Sequence, residues 1–251
     1  MANEPHIYLD HAAATPVDAA VLAAMQPYYQ VQFFNPSATY RAARNVHNDL
    51  EVARGRVAHW LGARANEIVF TAGGSEANNL AIHGVMRQYP EANIVVSAIE
   101  HESVLEPAAR HTHKLAPVHA DGRVDGDQLK TLVDDQTVLV SIMYANNEVG
   151  TVQAIKEITQ TIQEIKTARR KNGNNLPLYF HTDACQAANY LDLQVARLGV
   201  DFMTLNGGKI YGPKQSGALY VKAGITLVPL IDGGGQERLQ GRQQRLTVHQ
   251  H

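Results

Sequence analysis

Residues Thr137–Met143 read TVLVSIM. Five of the seven are apolar, and they do not alternate with polar residues. That is the pattern of a strand buried on both faces, which a parallel sheet covered by helices on either side provides. The flanking sequence agrees. Downstream, Ile155, Ile158, Ile162 and Ile165 mark one face of a helix. Upstream, Asn93–Ser97 (NIVVS) predicts a strand, followed by a helix from near His101 to His113. Before that, Glu67–Thr71 (EIVFT) reads as a strand, Gly73-Gly74 breaks it, and Ser75 is placed to cap a helix beginning at Glu76. Val46, Leu50, Ala53, Val57, Trp60 and Leu61 fall on one earlier helical stripe. Later, Arg169–Asn175 (RRKNGNN) reads as a polar exposed turn, and Leu178–Asp183, Asp201–Leu205 and Ser216–Val221 as further strands. Alternation of this kind predicts an α/β fold: a mostly parallel central sheet with helices on both faces. Ligands in such folds sit beyond the carboxyl ends of the strands.

Composition narrows the function. The 251 residues allow one large domain, or a domain and a fragment, and 45% apolar content supports a sizeable core. The formal charge of −2 comes without a basic stripe or an acidic run, which argues against a nucleic-acid partner and a disordered acidic tail. The opening MANEPHIYLD has no apolar signal core, and no run approaches membrane-spanning length, so a cytoplasmic protein without membrane contact is expected. The single cysteine, Cys185, excludes an internal disulfide and a cysteine-rich zinc knuckle. The last stretch, Gly233–His251 (GGGQERLQGRQQRLTVHQH), is rich in glutamine, arginine and glycine without apolar period. It reads as disordered or grafted on.

Several strand ends carry residues with chemical potential, each with a plainer alternative. Gly74 and Ser75, between a strand and a helix, can offer backbone N–H groups, a helix dipole and a hydroxyl to an anion; they can equally be an ordinary turn. In His181-Thr-Asp-Ala-Cys-Gln186 (HTDACQ), an extended backbone would put His181, Asp183 and Cys185 on one face. A buried Asp183 needs a cation or donors. Its partner is a metal shared with His181 and Cys185, the protonated nitrogen of a heteroaromatic cofactor, or simply the backbone it caps. His101 either stacks on a flat ring or caps a helix. Asn146 and Asn147 either reach a ligand oxygen or make a turn. Lys209, in TLNGGKIYGPK (Thr204–Lys214), is either a desolvated amine able to condense with an aldehyde or a turn lysine. Together, on successive strand ends, an anion cradle, a stacking histidine, a carboxylate and a lysine are the components of a pyridoxal 5′-phosphate (PLP) site.

The ordered motifs resemble those of cysteine desulfurases, in the class V aminotransferase group of fold-type I PLP enzymes. YLDHAAATP (Tyr8–Pro16), NPSATY (Asn35–Tyr40), FTAGGSEANNLAI (Phe70–Ile82), EHESV, NNEVGTVQ, HTDACQ, KIYGPKQSGALYV and GGGQER follow in family order, from Tyr8 to about Glu237. The resemblance implies the three-layer α/β/α large domain of a PLP-dependent transferase. It divides the chain into an N-terminal arm (1–16), a PLP-binding large domain (17–232) and an atypical tail (233–251), with the small C-terminal domain missing. It implies that Lys209 holds the cofactor covalently and carries protons, that Asp183 faces the ring nitrogen, and that His101 stacks on the ring and is a second catalytic residue. Asn147 and Gln186 correspond to residues contacting the phenolic oxygen, and Gly74 and Ser75 to the phosphate loop. No metal is expected.

The resemblance also carries departures. The family usually places serine and histidine where this chain has Asn206 and Gly208. Asn206 can still donate a hydrogen bond, but Gly208 keeps only its backbone N–H. One lost hydrogen bond to a charged acceptor is worth roughly 1.5–3 kcal/mol, so the expectation is either weaker retention of the cofactor or compensation from backbone N–H groups. Leu239–Arg245 replaces the family's continuation, which predicts a C-terminally truncated chain, frameshifted near Arg238, without the cysteine that receives sulfur. By position Cys185 is a small core residue and no substitute. The implied reaction converts L-cysteine to L-alanine, passing sulfur to a persulfide and on to an acceptor protein for iron–sulfur cluster assembly or tRNA thiolation. The intact family is homodimeric, and this chain is expected to be impaired or inactive. The alternatives are a PLP-dependent aminotransferase or lyase of the same fold, and a non-catalytic metal-binding scaffold.

Overall fold

The TVLVSIM stretch lies inside a seven-stranded sheet, next to its central strand. The computed structural model describes residues 7–233 and Glu237. The first six residues of the expected arm, and the expected tail apart from Gly233 and Glu237, lie outside the described residues. The strands are β1 (Ile68–Thr71), β2 (Asn93–Ser97), β3 (His113–Ala116), β4 (Thr137–Ser141), β5 (Tyr179–Asp183), β6 (Phe202–Asn206) and β7 (Gly217–Val221). Their spatial order is β1-β7-β6-β5-β4-β2-β3. From β3 to β6 every pairing is parallel, whereas β7 runs antiparallel to both β6 and β1. All five residues of β4 are buried, as a strand covered on both faces requires.

The described residues form seven α-helices: α1 (Ala19–Gln30), α2 (Arg41–Leu61), α3 (Gly74–Met86), α4 (Glu102–Ala109), α5 (Gly126–Leu132), α6 (Ile155–Lys171) and α7 (Val195–Leu198). The two sheet faces feed two separate cores. Ile94, Val96, Phe202 and Leu219 pack with α3 and α4 through Ala77, Leu80, Val104 and Ala108. Val95, Val140, Phe180 and Met203 point the other way, onto Ile155, Ile158, Ile162 and Ile165 of α6 and onto Ala58 and Leu61 of α2. The architecture is therefore the three-layer α/β/α arrangement read from the sequence. Strand order reverses direction between β2 and β4, which makes their carboxyl ends a topological switch point where ligands bind in open α/β sheets. No helix among the described residues is long and apolar enough to cross a membrane.

Four local expectations are corrected. The helix after His101 ends at Ala109, and His113–Ala116 forms the sheet-edge strand β3, whose half-exposed residues carry no apolar period. Gly73 occupies the N-cap of α3, so Ser75 falls inside the first turn and caps nothing. Arg169 is a buried residue of α6 rather than part of an exposed turn. On α2 the buried positions are Ala43, Arg54, Ala58 and Leu61, while Trp60 is 42% exposed. The stripe was shifted because a charged residue, Arg54, occupies its centre. Helices α1, α5 and α7 were not foreseen; α1 buries none of its residues, so it carries no one-sided apolar signal.

Candidate active site

The carboxyl ends of the parallel strands converge on a cleft of about 310 Å³, at the small end of the range for ligand sites. Its floor is Asp183, the last residue of β5, only 7% exposed. A carboxylate so buried requires donors. Asn78 Nδ2, on α3, donates to Asp183 Oδ2 at 2.7 Å, and the backbone N–H of Cys185 donates to Oδ1 at 2.9 Å. Asn78 Nδ2 also donates to Ser103 Oγ at 2.9 Å. The N–H of Ser103 donates to His101 Nδ1 at 3.0 Å, which leaves the proton of a neutral His101 on Nε2. A hydrogen-bonded series thus connects the floor of the cleft to the histidine at its mouth.

Lys209 enters from a tight turn after β6. Asn206 caps that turn by accepting the N–H of Gly208 at 3.0 Å, and Gly212 closes it by donating to Gly207 O at 2.8 Å. A Cβ on Gly212 would stand 2.9 Å from that same oxygen, so the approach requires glycine. The opening segment of the chain is laid across the turn. Thr15 N–H donates to Gly208 O at 3.1 Å, and Thr15 Oγ1 accepts from Tyr211 N–H at 2.7 Å. The segment's carbonyls receive the lysine itself: Lys209 Nζ donates to Ala12 O at 2.5 Å and to Ala13 O at 2.9 Å. Gln186 Nε2 reaches the same Ala12 oxygen at 3.0 Å. Lys209 is therefore a half-buried amine held by neutral acceptors, not a surface lysine.

The start of α3 forms another wall, with Gly74 and Ser75 lining the cleft. A Cβ on Gly74 would come 2.8 Å from Cys185 Sγ, so glycine keeps the helix N-terminus against the floor. Opposite, Asn146 shapes its own loop, accepting from the N–H groups of Glu148 and Val149, and Asn147 is left to line the cleft.

Of the residues singled out in the sequence, Gly74, Ser75, His101, Asn147, Asp183, Gln186, Asn206 and Lys209 all line this one cleft. Gly208 does not. Its N–H is taken by Asn206 and its carbonyl by Thr15, so the expected backbone compensation for the missing phosphate clamp does not come from this residue. Asp10, Ala12, Ala13, Ser103 and Met143 complete the walls without having been singled out. Asn78, Asp183's donor, was missed as well. Its only signal was a place one helical turn after Gly74, on the face turned to the sheet.

The metal alternative fails on geometry. His181 is fully buried, and both ring nitrogens are engaged, Nδ1 with Ser141 Oγ at 2.8 Å and Nε2 with Thr204 Oγ1 at 3.0 Å. Burial pulls its pKa down to about 4, which keeps it neutral. No group of three potential metal-binding side chains occurs among the described residues. Burial, reinforced by the Asp183 charge, also pushes the Cys185 thiol well above its ordinary pKa, which opposes formation of a nucleophilic thiolate.

The donor set suits a phosphorylated pyridine aldehyde. A buried carboxylate waits at the floor, a glycine-opened helix N-terminus stands at one side, an amine projects inward, and an imidazole flanks the mouth.

Comparisons with known proteins agree with this geometry. The model of the aminotransferase class-V family matches residues 7–249. The cysteine desulfurase IscS of Dictyoglomus turgidum is 40% identical over 239 residues, covering 92% of this chain and 58% of that protein. The cysteine desulfurase IscS of Methanosarcina thermophila is 39% identical over 239 residues, with 92% and 56% covered. Among solved structures, a NifS-like protein superposes with a TM-score of 0.87 at 34% identity, over 95% of this chain and 65% of that one. A structure described as SspA in complex with cysteine gives 0.85 at 39% identity, over 95% and 68%. This chain thus spans less than two thirds of the length of the IscS relatives it matches. With the family model matched along nearly its whole length, the chain belongs to the aminotransferase class-V family.

Proposed function

We propose that this chain is the PLP-binding large domain of a cysteine desulfurase. One observation carries the reading: Lys209 and Asp183, from adjacent strand ends, line the same cleft as His101 and the start of α3. When bound, PLP supplies an electron sink for a substrate carbanion. Asp183, kept in place by Asn78, holds a proton on the ring nitrogen. The first-turn N–H groups of α3 and the Ser75 hydroxyl hold the phosphate. His101 flanks the ring, and Asn147 and Gln186 donate toward the phenolic oxygen. Lys209 would hold the cofactor through its aldehyde and would move a proton at the α-carbon of the substrate. To do so its Nζ leaves the carbonyls of Ala12 and Ala13, which makes the opening segment part of the site. The substrate is L-cysteine and the product L-alanine, within a homodimer. The sulfur goes to a thiolate, as a persulfide, on its way to a protein acceptor. Because Cys185, the one cysteine of this chain, does not supply that thiolate, turnover by this chain alone is expected to be impaired or absent. The likeness to cysteine desulfurases, and to a protein solved in complex with cysteine, supports that choice of substrate.

Borohydride reduction of the protein mixed with PLP, followed by peptide mapping, tests the assignment. The pyridoxyl group is expected on Lys209 and to be absent from the Lys209→Ala variant. Reduction that leaves Lys209 unmodified overturns the reading.

A further inference from the structure

At the opposite end of the sheet lies a second depression, of about 500 Å³. It opens where β5 begins and β7 ends, and so it shares no wall with the cleft. Four cations line it: Lys166, Arg169 and Arg170 of α6, and Lys222 after β7. The carboxylate among them is Asp201, itself 3% exposed. Lys166 and Lys222 stand 3.2 and 3.1 Å from its two oxygens, so one carboxylate is shared between two ammonium groups.

Arg169 adds a buried guanidinium at 4% exposure. Its Nη1 donates to Thr137 O at 2.8 Å and its Nη2 to Asp134 O, while its Nε has no hydrogen-bond acceptor. The nearest carboxylate to Nε is Asp135, 3.9 Å away and largely in solvent. Arg170 is exposed. The C-terminus of α6 accounts for part of this charge, since its dipole presents about half a negative charge to the last turn. Half a charge does not balance the cations left over by Asp201.

The remaining wall mixes the amides of Asn174 and Asn175 with apolar Leu176 and Ile225, and with Tyr179, held edge-on to Phe202 at a centroid distance of 5.8 Å. A recess with a cationic rim and an apolar patch in its wall favours an organic oxyanion over an inorganic one, because the patch rewards a body that inorganic phosphate lacks. A chain with a formal charge of −2 does not attract a polyanion at long range. We propose that this depression is a second binding site, for a small oxyanion carried on an apolar or aromatic body. The proposal does not depend on the PLP reading.

Phenyl phosphate is the probe, titrated by isothermal calorimetry at low salt into the full chain. It is expected to bind saturably, at least about tenfold tighter than phenol or inorganic phosphate. Arg170→Ser and Lys222→Gln are each expected to weaken it about threefold, as exposed ion pairs do. Ser75→Ala and Lys209→Ala act on any phosphate binding in the cleft and leave unchanged the component that Arg170→Ser and Lys222→Gln weaken. Affinity no better than that of phenol overturns the proposal. So does binding that survives both rim substitutions together but is lost in Ser75→Ala. Arg170 is exposed and outside both cores, so its variant retains the fold and keeps the test decisive if Lys222→Gln unfolds the chain.

Discussion

Replacing Glu237 with alanine will lower the free energy of unfolding by about 3 kcal/mol, read as a shift in the urea midpoint. The reason is Arg54, which is 2% exposed in the middle of α2. Glu237 meets its guanidinium in a two-pronged pair, with Nη1 and Nη2 each 2.9 Å from a different carboxylate oxygen. The same carboxylate accepts the N–H of Phe70 on β1 at 3.1 Å, and the guanidinium lies 4.6 Å from the centre of the Phe70 ring. Burial pulls the Arg54 pKa down, but the bonds to Glu237 and Glu51 outweigh it and hold the pKa above its ordinary value. In Glu237→Ala the cation keeps Glu51 at 2.9 Å and the carbonyl of Ile68 at 3.0 Å, and loses its two-pronged partner. Removing one member of a buried pair typically costs about 3–5 kcal/mol, and the surviving contacts set this case at the lower end. Replacing both members with apolar residues, Arg54→Met with Glu237→Leu, removes the stranded charge and will recover most of the loss. A Glu237→Ala midpoint equal to that of the parent chain would show that the pair does not hold β1 to α2.

Arg54 also shows where sequence reading stops. A charged residue in a helix reads as solvent-facing, and the partner that permits its burial lies 183 residues away. The strands that read correctly, Asn93–Ser97 and the TVLVSIM stretch, are buried on both faces, so their composition alone identifies them. The edge strand His113–Ala116 does not read, because its exposed side chains impose no pattern. The site divides in the same way. Gly74, His101, Asp183 and Lys209 stand at element boundaries, and boundaries leave local marks. Asn78, Ser103 and the carbonyls of Ala12 and Ala13 matter only through contacts that the fold creates, and a backbone carbonyl has no residue identity to read.

A second buried acid sets a pH dependence that Glu100→Gln will remove. Glu100, 6% exposed, lies between the ends of β2 and β4. Its Oε1 accepts from Ser97 Oγ at 2.5 Å and from the N–H of Met143 at 2.6 Å, while Oε2 has no partner. Burial raises its pKa from 4.5 to about 8; the Ser97 and Met143 bonds oppose the shift, and the charge of Asp183 adds to it. Between these two values the folded chain keeps a proton that the unfolded chain has released. Stability linked to Glu100 is therefore complete below about pH 4.5 and is lost as pH rises, by up to about 1.4 kcal/mol per unit, until the folded carboxyl ionises near pH 8. Glutamine keeps the acceptor for Ser97 and Met143 and cannot ionise. Its unpaired amide adds a cost that does not vary with pH, so it displaces the stability curve without changing the slope. The histidines titrate in both proteins and cancel in the difference. Denaturant unfolding from pH 5 to pH 8 is thus expected to show Glu100→Gln gaining steadily on the parent chain, and parallel curves would mean that Glu100 ionises in the folded chain much as it does in water.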